Sequence, residues 1–202
     1  MVKRALDVGL AAGGLVVGAP LLATIAVAIK LDSPGGVFYA QERLGRGGRT
    51  FRLLKFRTMR DAPIRYNADG STRVDANDDR VTRVGRHLRG ALDELPQLVN
   101  VLRGDMSLVG PRPDMASQRV LYTAADERKL EVRPGLTSLA VVHGRNELPW
   151  KQRIMLDVRY IDRWSLALDA RIMVATVLMA LGRRTLDFSD VIERAAPSSA
   201  EG

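Results

Sequence analysis

Two adjacent carboxylates, Asp93 and Glu94, stand just ahead of Pro96 in a stretch rich in arginine. Arg80, Arg83, Arg86 and Arg89 precede them at intervals of three, and Arg103 follows. Arg112 lies between Pro111 and Pro113, Arg133 before Pro134-Gly135, and Arg145 after Gly144. A guanidinium can donate two parallel hydrogen bonds to a phosphate, and flanking prolines leave it less entropy to lose on binding. A carboxylate that attacks a phosphoryl group meets charge repulsion, so the reaction needs cations on the phosphate oxygens. A second carboxylate can hold the divalent metal that completes such a site. The residue set suits phosphoryl transfer. Each part also has a plainer explanation: Asp93 as a helix N-cap, Glu94 as a first-turn acid stabilised by the helix dipole, the arginines as solvated turn residues.

Composition narrows the chemistry further. The 202 residues include no cysteine and only two histidines, His87 and His143, so disulfides, thiolate metal sites and a histidine-based triad drop out. Any catalysis falls to carboxylates. A net charge of +8, from 31 Lys+Arg against 23 Asp+Glu, points to a polyanionic partner: nucleic acid, an anionic membrane or a phosphorylated substrate. Aromatic residues make up 5% and form no stacking platform, which argues against nucleic acid. A hydrophobic share of 46% suffices for one packed core.

The elements that must position these residues begin with an apolar segment. Val8 to Ile29 is 22 residues without a charge, flanked by Lys3, Arg4 and Asp7 before it and Lys30 after it. As a helix it would reach roughly 33 Å, enough for a bilayer core. A signal peptide, a single-pass anchor and a hairpin-like helix that re-emerges on its own side all fit. Pro20 near the middle and basic residues at both ends favour the last.

Asp32-Ser33-Pro34-Gly35-Gly36 then forms a turn cluster, and Val37–Tyr39 and Phe51–Phe56 read as short strands joined by a glycine-rich loop at 45–48. Residues 61–80 read as a long polar loop. Val81–Arg89 reads as a short basic helix, and apolar residues at 92, 95, 98, 99 and 102 predict a helix over 92–102 with one buried face. Residues 104–113 and 134–149 read as loops, 116–131 as helical, and Trp150 to Leu181 as helix broken near Trp164-Ser165. The segments Trp150–Met155 and Ile161–Trp164 mix Trp, basic and apolar residues and could lie on lipid headgroups or pack against the core.

Taken together, ordered runs across about residues 3–169 resemble the bacterial monotopic phosphoglycosyl transferases, or bacterial sugar transferases. The matching runs include Lys3-Arg4 with Asp7, Gln41 with Arg43 and Gly45, Lys55-Phe56-Arg57-Thr58-Met59, and Asp93-Glu94-Leu95-Pro96-Gln97-Leu98. They continue through Gly104-Asp105-Met106-Ser107, Gly110-Pro111-Arg112-Pro113, Arg133-Pro134-Gly135, Gly144-Arg145-Asn146, and Asp157 with Tyr160.

The resemblance implies an enzyme that moves a sugar 1-phosphate from a UDP-sugar to polyprenyl (undecaprenyl) phosphate, releasing UMP, in bacterial exopolysaccharide and other glycoconjugate synthesis. It implies Asp93 as nucleophile, Glu94 with Mg2+, and Lys55, Arg57, Arg86, Arg89, Arg112, Arg133 and Arg145 as substrate-binding residues. It also implies a membrane helix broken at Pro20 and residence on the cytoplasmic face of the inner membrane. The partners expected are the UDP-sugar, polyprenyl phosphate and the lipid bilayer, with no nucleic acid and with a homodimer left open.

The fold expected is α+β and helix-rich: a re-entrant helix-break-helix over 1–31, a catalytic domain over 32–182 with short strands and amphipathic interfacial helices, and a tail over 183–202. The sequence departs from the family's pattern in having three residues, not four, between Arg89 and Asp93, and in Ser138, Val141 and His143. Two other functions stay open: a membrane-tethered basic protein that binds anions without catalysis, and a family member that has lost activity.

Overall fold

In the computed structural model, which describes residues 1–60, 78–144, 148–183 and 186–192, the chain opens with a single long helix, α1 (Val2–Asp32). Its backbone stays helical through Pro20, so the expected division into two helices is not seen. Proline removes one rung of the hydrogen-bond ladder, and here the helix continues past the gap. Thr24 Oγ1 donates to the Pro20 carbonyl at 2.9 Å, within this turn.

Strands β1 (Phe38–Leu44) and β2 (Thr50–Phe56) form an antiparallel hairpin in which Tyr39 faces Lys55 and Arg43 faces Phe51. The first strand is longer than its apolar start suggested, because Gln41 and Arg43 occupy strand positions without an apolar alternation. Helix α2 (Arg83–Leu88) follows, capped by Thr82, whose hydroxyl accepts from Gly85 N at 2.9 Å. It is shorter than the predicted Val81–Arg89: Arg80 and Arg89 fall outside it, so the four arginines do not form one helical stripe.

The predicted helix over 92–102 splits at its proline. Leu92–Glu94 forms a 3₁₀ turn, and helix α3 runs from Gln97 to Arg103. Its buried face carries Gln97, Leu98, Asn100 and Val101, while Leu92 and Leu102 are exposed. Polar positions thus share the inward face, which the apolar spacing could not show. Asn100 explains why: its side chain accepts from Leu54 N at 3.0 Å and donates to Arg52 O at 2.9 Å, satisfying the free edge of β2.

Two predicted loops contain ordered structure. Strand β3 (Ser107–Val109) lies within 104–113, and strand β4 (Gly135–Thr137) and helix α5 (Leu139–His143) lie within 134–149. The strands pair in parallel, Ser107 with Gly135 and Val109 with Thr137. Gly110 and Gly135 permit this approach, since a Cβ on Gly135 would stand 2.2 Å from Gly110 N. The 116–131 region holds 3₁₀ turns at Ala116–Leu121 and Arg128–Glu131 around a short helix, α4 (Ala124–Glu127).

Helices α6 (Trp150–Asp162) and α7 (Leu166–Ala180) break where expected, with Ser165 capping α7, and a short α8 (Ser189–Ile192) closes the described chain. Trp150 is buried and its Nε1 donates to Asp114 at 3.3 Å, so this end of α6 packs into the domain instead of lying on headgroups. The architecture is helix-rich with a few short strands. One core joins α5, α6, α7, β3 and α8 around Leu139, Tyr160, Ile172 and Phe188.

Two smaller cores dock α1. Ala11 packs with Leu53, Leu98, Val101 and Met106, while Ile25 and Ile29 pack with Phe56 and Leu88. Lys3 pairs with Asp169 at 2.6 Å, Asp7 accepts from Ser107 Oγ and Leu108 N, and Asp32 at the far end accepts from Val84 N at 2.9 Å. Both ends of the apolar helix are therefore fastened to the same globular body.

Candidate active site

The carboxylate pair sits where three pieces of chain meet: the 3₁₀ turn, strand β2 and the Pro111–Pro113 segment. Gly90 turns the backbone with φ of +107°, a conformation that favours glycine, and its amide donates to Asp93 Oδ1 at 3.1 Å. Asp93 is nearly buried at 9% exposure. Because α3 begins only at Gln97, Asp93 is neither its N-cap nor in its first turn. Burial pushes the Asp93 carboxyl above the ordinary aspartate range, and the neighbouring Glu94 pushes the same way, while Lys55 pulls it back. The plainer explanation of Asp93 as a helix N-cap is corrected accordingly, and burial sets the direction of its shift.

Glu94 has the opposite balance. Burial acts to raise its pKa, but the charges and hydrogen bonds of Arg112 and Lys55 outweigh it and hold the carboxylate well below the usual glutamate range. Lys55 Nζ lies 2.7 Å from Oε1 and Arg112 Nη2 lies 2.9 Å from the same oxygen. Among the described residues, no hydrogen bond reaches Oε2. Two neighbouring carboxyls are thus placed in contrasting states: one clamped as an anion, one buried and closer to neutrality.

Arg112 is held from behind. Its backbone amide donates to Asp157 Oδ2 at 3.1 Å, and Lys129 Nζ meets Asp157 at 3.1 Å and Asp114 at 2.6 Å. Asp157 is fully buried, and burial raises its pKa to about 6 despite Lys129. Asp114 also accepts from Tyr122 Oη at 2.7 Å.

Of the predicted site residues, Lys55, Arg112, Asp93 and Glu94 come together. Arg89 follows α2 and lends its charge to Asp93 in spite of the shortened spacing, while Arg86 stands exposed on α2. Arg57 is not brought to the pair: it is buried and donates to the Ser33 and Pro34 carbonyls beyond α1, closing that helix's C-terminus. Arg133 turns to the Gly104 carbonyl at 2.8 Å and caps the end of α3. Both arginines serve backbone carbonyls that helix ends leave without partners. Arg145 lies outside the described residues. Arg43 was quoted only as part of a matching run, yet it enters the cluster, feeling both Arg112 and Glu94. Its signal was the period of two that places Tyr39, Gln41 and Arg43 on one strand face.

A magnesium ion commonly uses one or two carboxylates and takes its remaining ligands from substrate phosphates and water. The open Glu94 Oε2 fits that mode. No cluster of three or more His, Cys, Asp or Glu occurs among the described residues, so an all-protein cage does not fit.

A profile of the family described as bacterial sugar transferase matches residues 1–183. The chain belongs to the bacterial sugar transferase family. A relative in the family from Caulobacter vibrioides, named UDP-glucose:undecaprenyl-phosphate glucose-1-phosphate transferase, is 48% identical over 87% of this chain and 68% of its own length. The exopolysaccharide production protein ExoY of Sinorhizobium fredii is 40% identical over 87% of this chain and 83% of its own. A transferase of Escherichia coli, named for the same reaction as the Caulobacter protein, is 40% identical over 88% of this chain but 39% of its own length. Family membership makes the chain a sugar-phosphate transferase by class, and the relatives' spans show that family members carry this unit both nearly alone and within longer chains.

Proposed function

We propose that this protein moves a sugar 1-phosphate from a UDP-sugar to undecaprenyl phosphate through an aspartyl-phosphosugar intermediate. The observation that carries the reading is the split environment of the pair: Asp93 buried with its pKa raised, Glu94 fixed as an anion by Lys55 and Arg112. A carboxylate drawn out of water is a stronger nucleophile toward phosphorus than a solvated one, and the adjoining cations offset its repulsion from phosphate. The relatives named for the UDP-glucose reaction support the substrate classes.

In the first step Asp93 Oδ2 forms a bond to the β-phosphorus of the donor as the bond to the bridging oxygen breaks. UMP leaves with that electron pair. In the second, an oxygen of the lipid phosphate bonds to the same phosphorus, the acyl oxygen departs, and the Asp93 carboxylate is restored. Lys55 and Arg112 hold Glu94 and remain within reach of the phosphoryl oxygens throughout. Magnesium, held by Glu94, would supply charge neutralisation on the diphosphate.

The lipid acceptor requires a site at the bilayer surface, and α1 supports one. It is long and apolar enough to cross a membrane, with a mean hydropathy of 2.1 over its best window. Its side chains that are at least 48% exposed and large apolar are Val2, Leu6, Leu10, Val16, Val17, Leu21, Val27 and Leu31. At about 100° per residue these fall within an arc of about 140°, outside which lie the buried Asp7, Ala11, Ile25 and Ile29. With both ends bound to one body, α1 sets its exposed apolar arc into the lipid while both ends stay on one side, the cytoplasmic face, where the nucleotide sugar is available. Magnesium-dependent release of UMP from a panel of UDP-sugars, with undecaprenyl phosphate present, tests the activity. Release by the parent and none by Asp93→Asn supports the reading, and equal release by both contradicts it.

A further inference from the structure

Arg43 carries a charge that no direct ion pair meets among the described residues. Its Nη2 donates to Gln41 Oε1 at 2.6 Å, its Nη1 makes a long contact of 3.4 Å to the Pro113 carbonyl, and its Nε is buried without a partner. Both acceptors are uncharged, and no ion pair joins Arg43 to a carboxylate among the described residues. Burial and the like charge of Arg112 push its pKa down and outweigh the opposing charges of Asp114 and Glu94.

Its position is built, not incidental. Leu44 N donates to Asp114 O at 2.9 Å, so the end of β1 is tied to the loop that presents Arg112. Across the hairpin, Tyr39 faces Lys55, which places Arg43 and Lys55 on one sheet face, the face that meets the carboxylate pair. Three cations, Arg43, Lys55 and Arg112, thus stand against the two carboxylates Asp93 and Glu94. Arg89 adds a further positive charge at Asp93.

The geometry points to Arg43 as a phosphate-binding residue of the site, holding the donor phosphate that departs with the nucleotide when Asp93 displaces it. Lys55 and Arg112 already share Glu94, whereas Arg43 bonds no carboxylate and has hydrogen bonds left for the substrate. Its Nε–H has no partner and its Nη1 is only weakly held, so the guanidinium keeps hydrogen bonds to give to phosphate oxygens. Charge that builds on the leaving oxygen in the first step would be met there. Gln41 holds the Nη2 end of the group in place. The assignment rests on the proposed role of Asp93, and its test separates the two.

The experiment measures covalent loading of purified protein at graded UDP-sugar concentrations, then discharge of washed, loaded protein by undecaprenyl phosphate. For Arg43→Gln the donor concentration at half-maximal loading rises about tenfold or more, as loss of a hydrogen bond to a charged partner gives. Binding of UMP weakens by a similar factor, the discharge step keeps its acceptor dependence, and the thermal midpoint stays near that of the parent. Arg43→Lys, which keeps the charge without the fork, gives an intermediate shift and serves also if Arg43→Gln does not fold. Donor dependence and UMP affinity equal to the parent's in a folded variant overturn the assignment, as does an effect confined to discharge by the lipid phosphate. Absence of loading in the parent itself would instead overturn the Asp93 reading.

Discussion

Lys55 stands 2.7 Å from Glu94 and 3.9 Å from Asp93, so a single ammonium bonds one carboxylate and only tempers the other. Since burial raises the Asp93 pKa and Lys55 lowers it, the acid limb of adduct formation reports their balance. Asp93 must be ionised to attack. The loading rate therefore falls, on acidification, at a higher pH than an ordinary aspartate would give. Lys55→Met removes the lowering charge and moves that limb to still higher pH, besides slowing the reaction. A pH–rate profile of loading checks both, and a limb that stays or moves down contradicts the assignment.

Glu94→Gln leaves Lys55 and Arg112 facing a neutral amide. Turnover is expected to drop about 100-fold or more, the scale of losing one preorganised electrostatic partner. The magnesium concentration for half-maximal rate rises as well. Kinetics at graded magnesium test this, and an unchanged metal dependence would remove Glu94 from the metal's shell.

The buried set behind Arg112 gives a stability test. Between the ordinary aspartate value of 3.8 and about 6, native Asp157 holds a proton that the unfolded chain has released. The native state then binds more protons, so this group's contribution falls as pH rises through that window. Asp157→Asn abolishes the slope, which thermal midpoints recorded across the window will show as curves that diverge from the parent's. Lys129→Met leaves two buried carboxyls near one another and costs on the order of 3–5 kcal/mol.

Topology can be read chemically because the chain has no cysteine. Val2→Cys and Leu31→Cys place single thiols at exposed positions near the two ends of α1. Both should react with a membrane-impermeant maleimide in vesicles that expose the cytoplasmic face, and neither in vesicles of the other orientation. Opposite labelling of the two ends would mean that α1 spans the membrane.

What the sequence made legible follows from which interactions are local. The apolar helix, the hairpin strands and the break before Ser165 each rest on composition or capping within a few residues. Strands β3 and β4 did not emerge, because each has three residues and exists only through its partner in the other. Asn100 completes the edge of β2, a long-range contact that the apolar spacing over 92–102 does not carry.

In the site, Asp93, Glu94, Lys55 and Arg112 were named from motif and chemistry, and the fold brings them together. Arg57 and Arg133 carry equally suitable side chains. They are drawn instead to helix-end carbonyls whose positions no spacing rule reveals. Arg43 stood only in a matching run and in the strand alternation, and its lack of an ion pair is a property of tertiary structure.

The central claim is the bond between Asp93 and the donor phosphorus. Purified protein incubated with UDP-sugar and magnesium, without lipid acceptor, should be digested and its peptides weighed. A hexose-phosphate increment on the peptide containing Asp93, absent in Asp93→Asn and lost on adding undecaprenyl phosphate, is the result predicted. An unmodified Asp93 peptide in a preparation that releases UMP and transfers the sugar phosphate would contradict it.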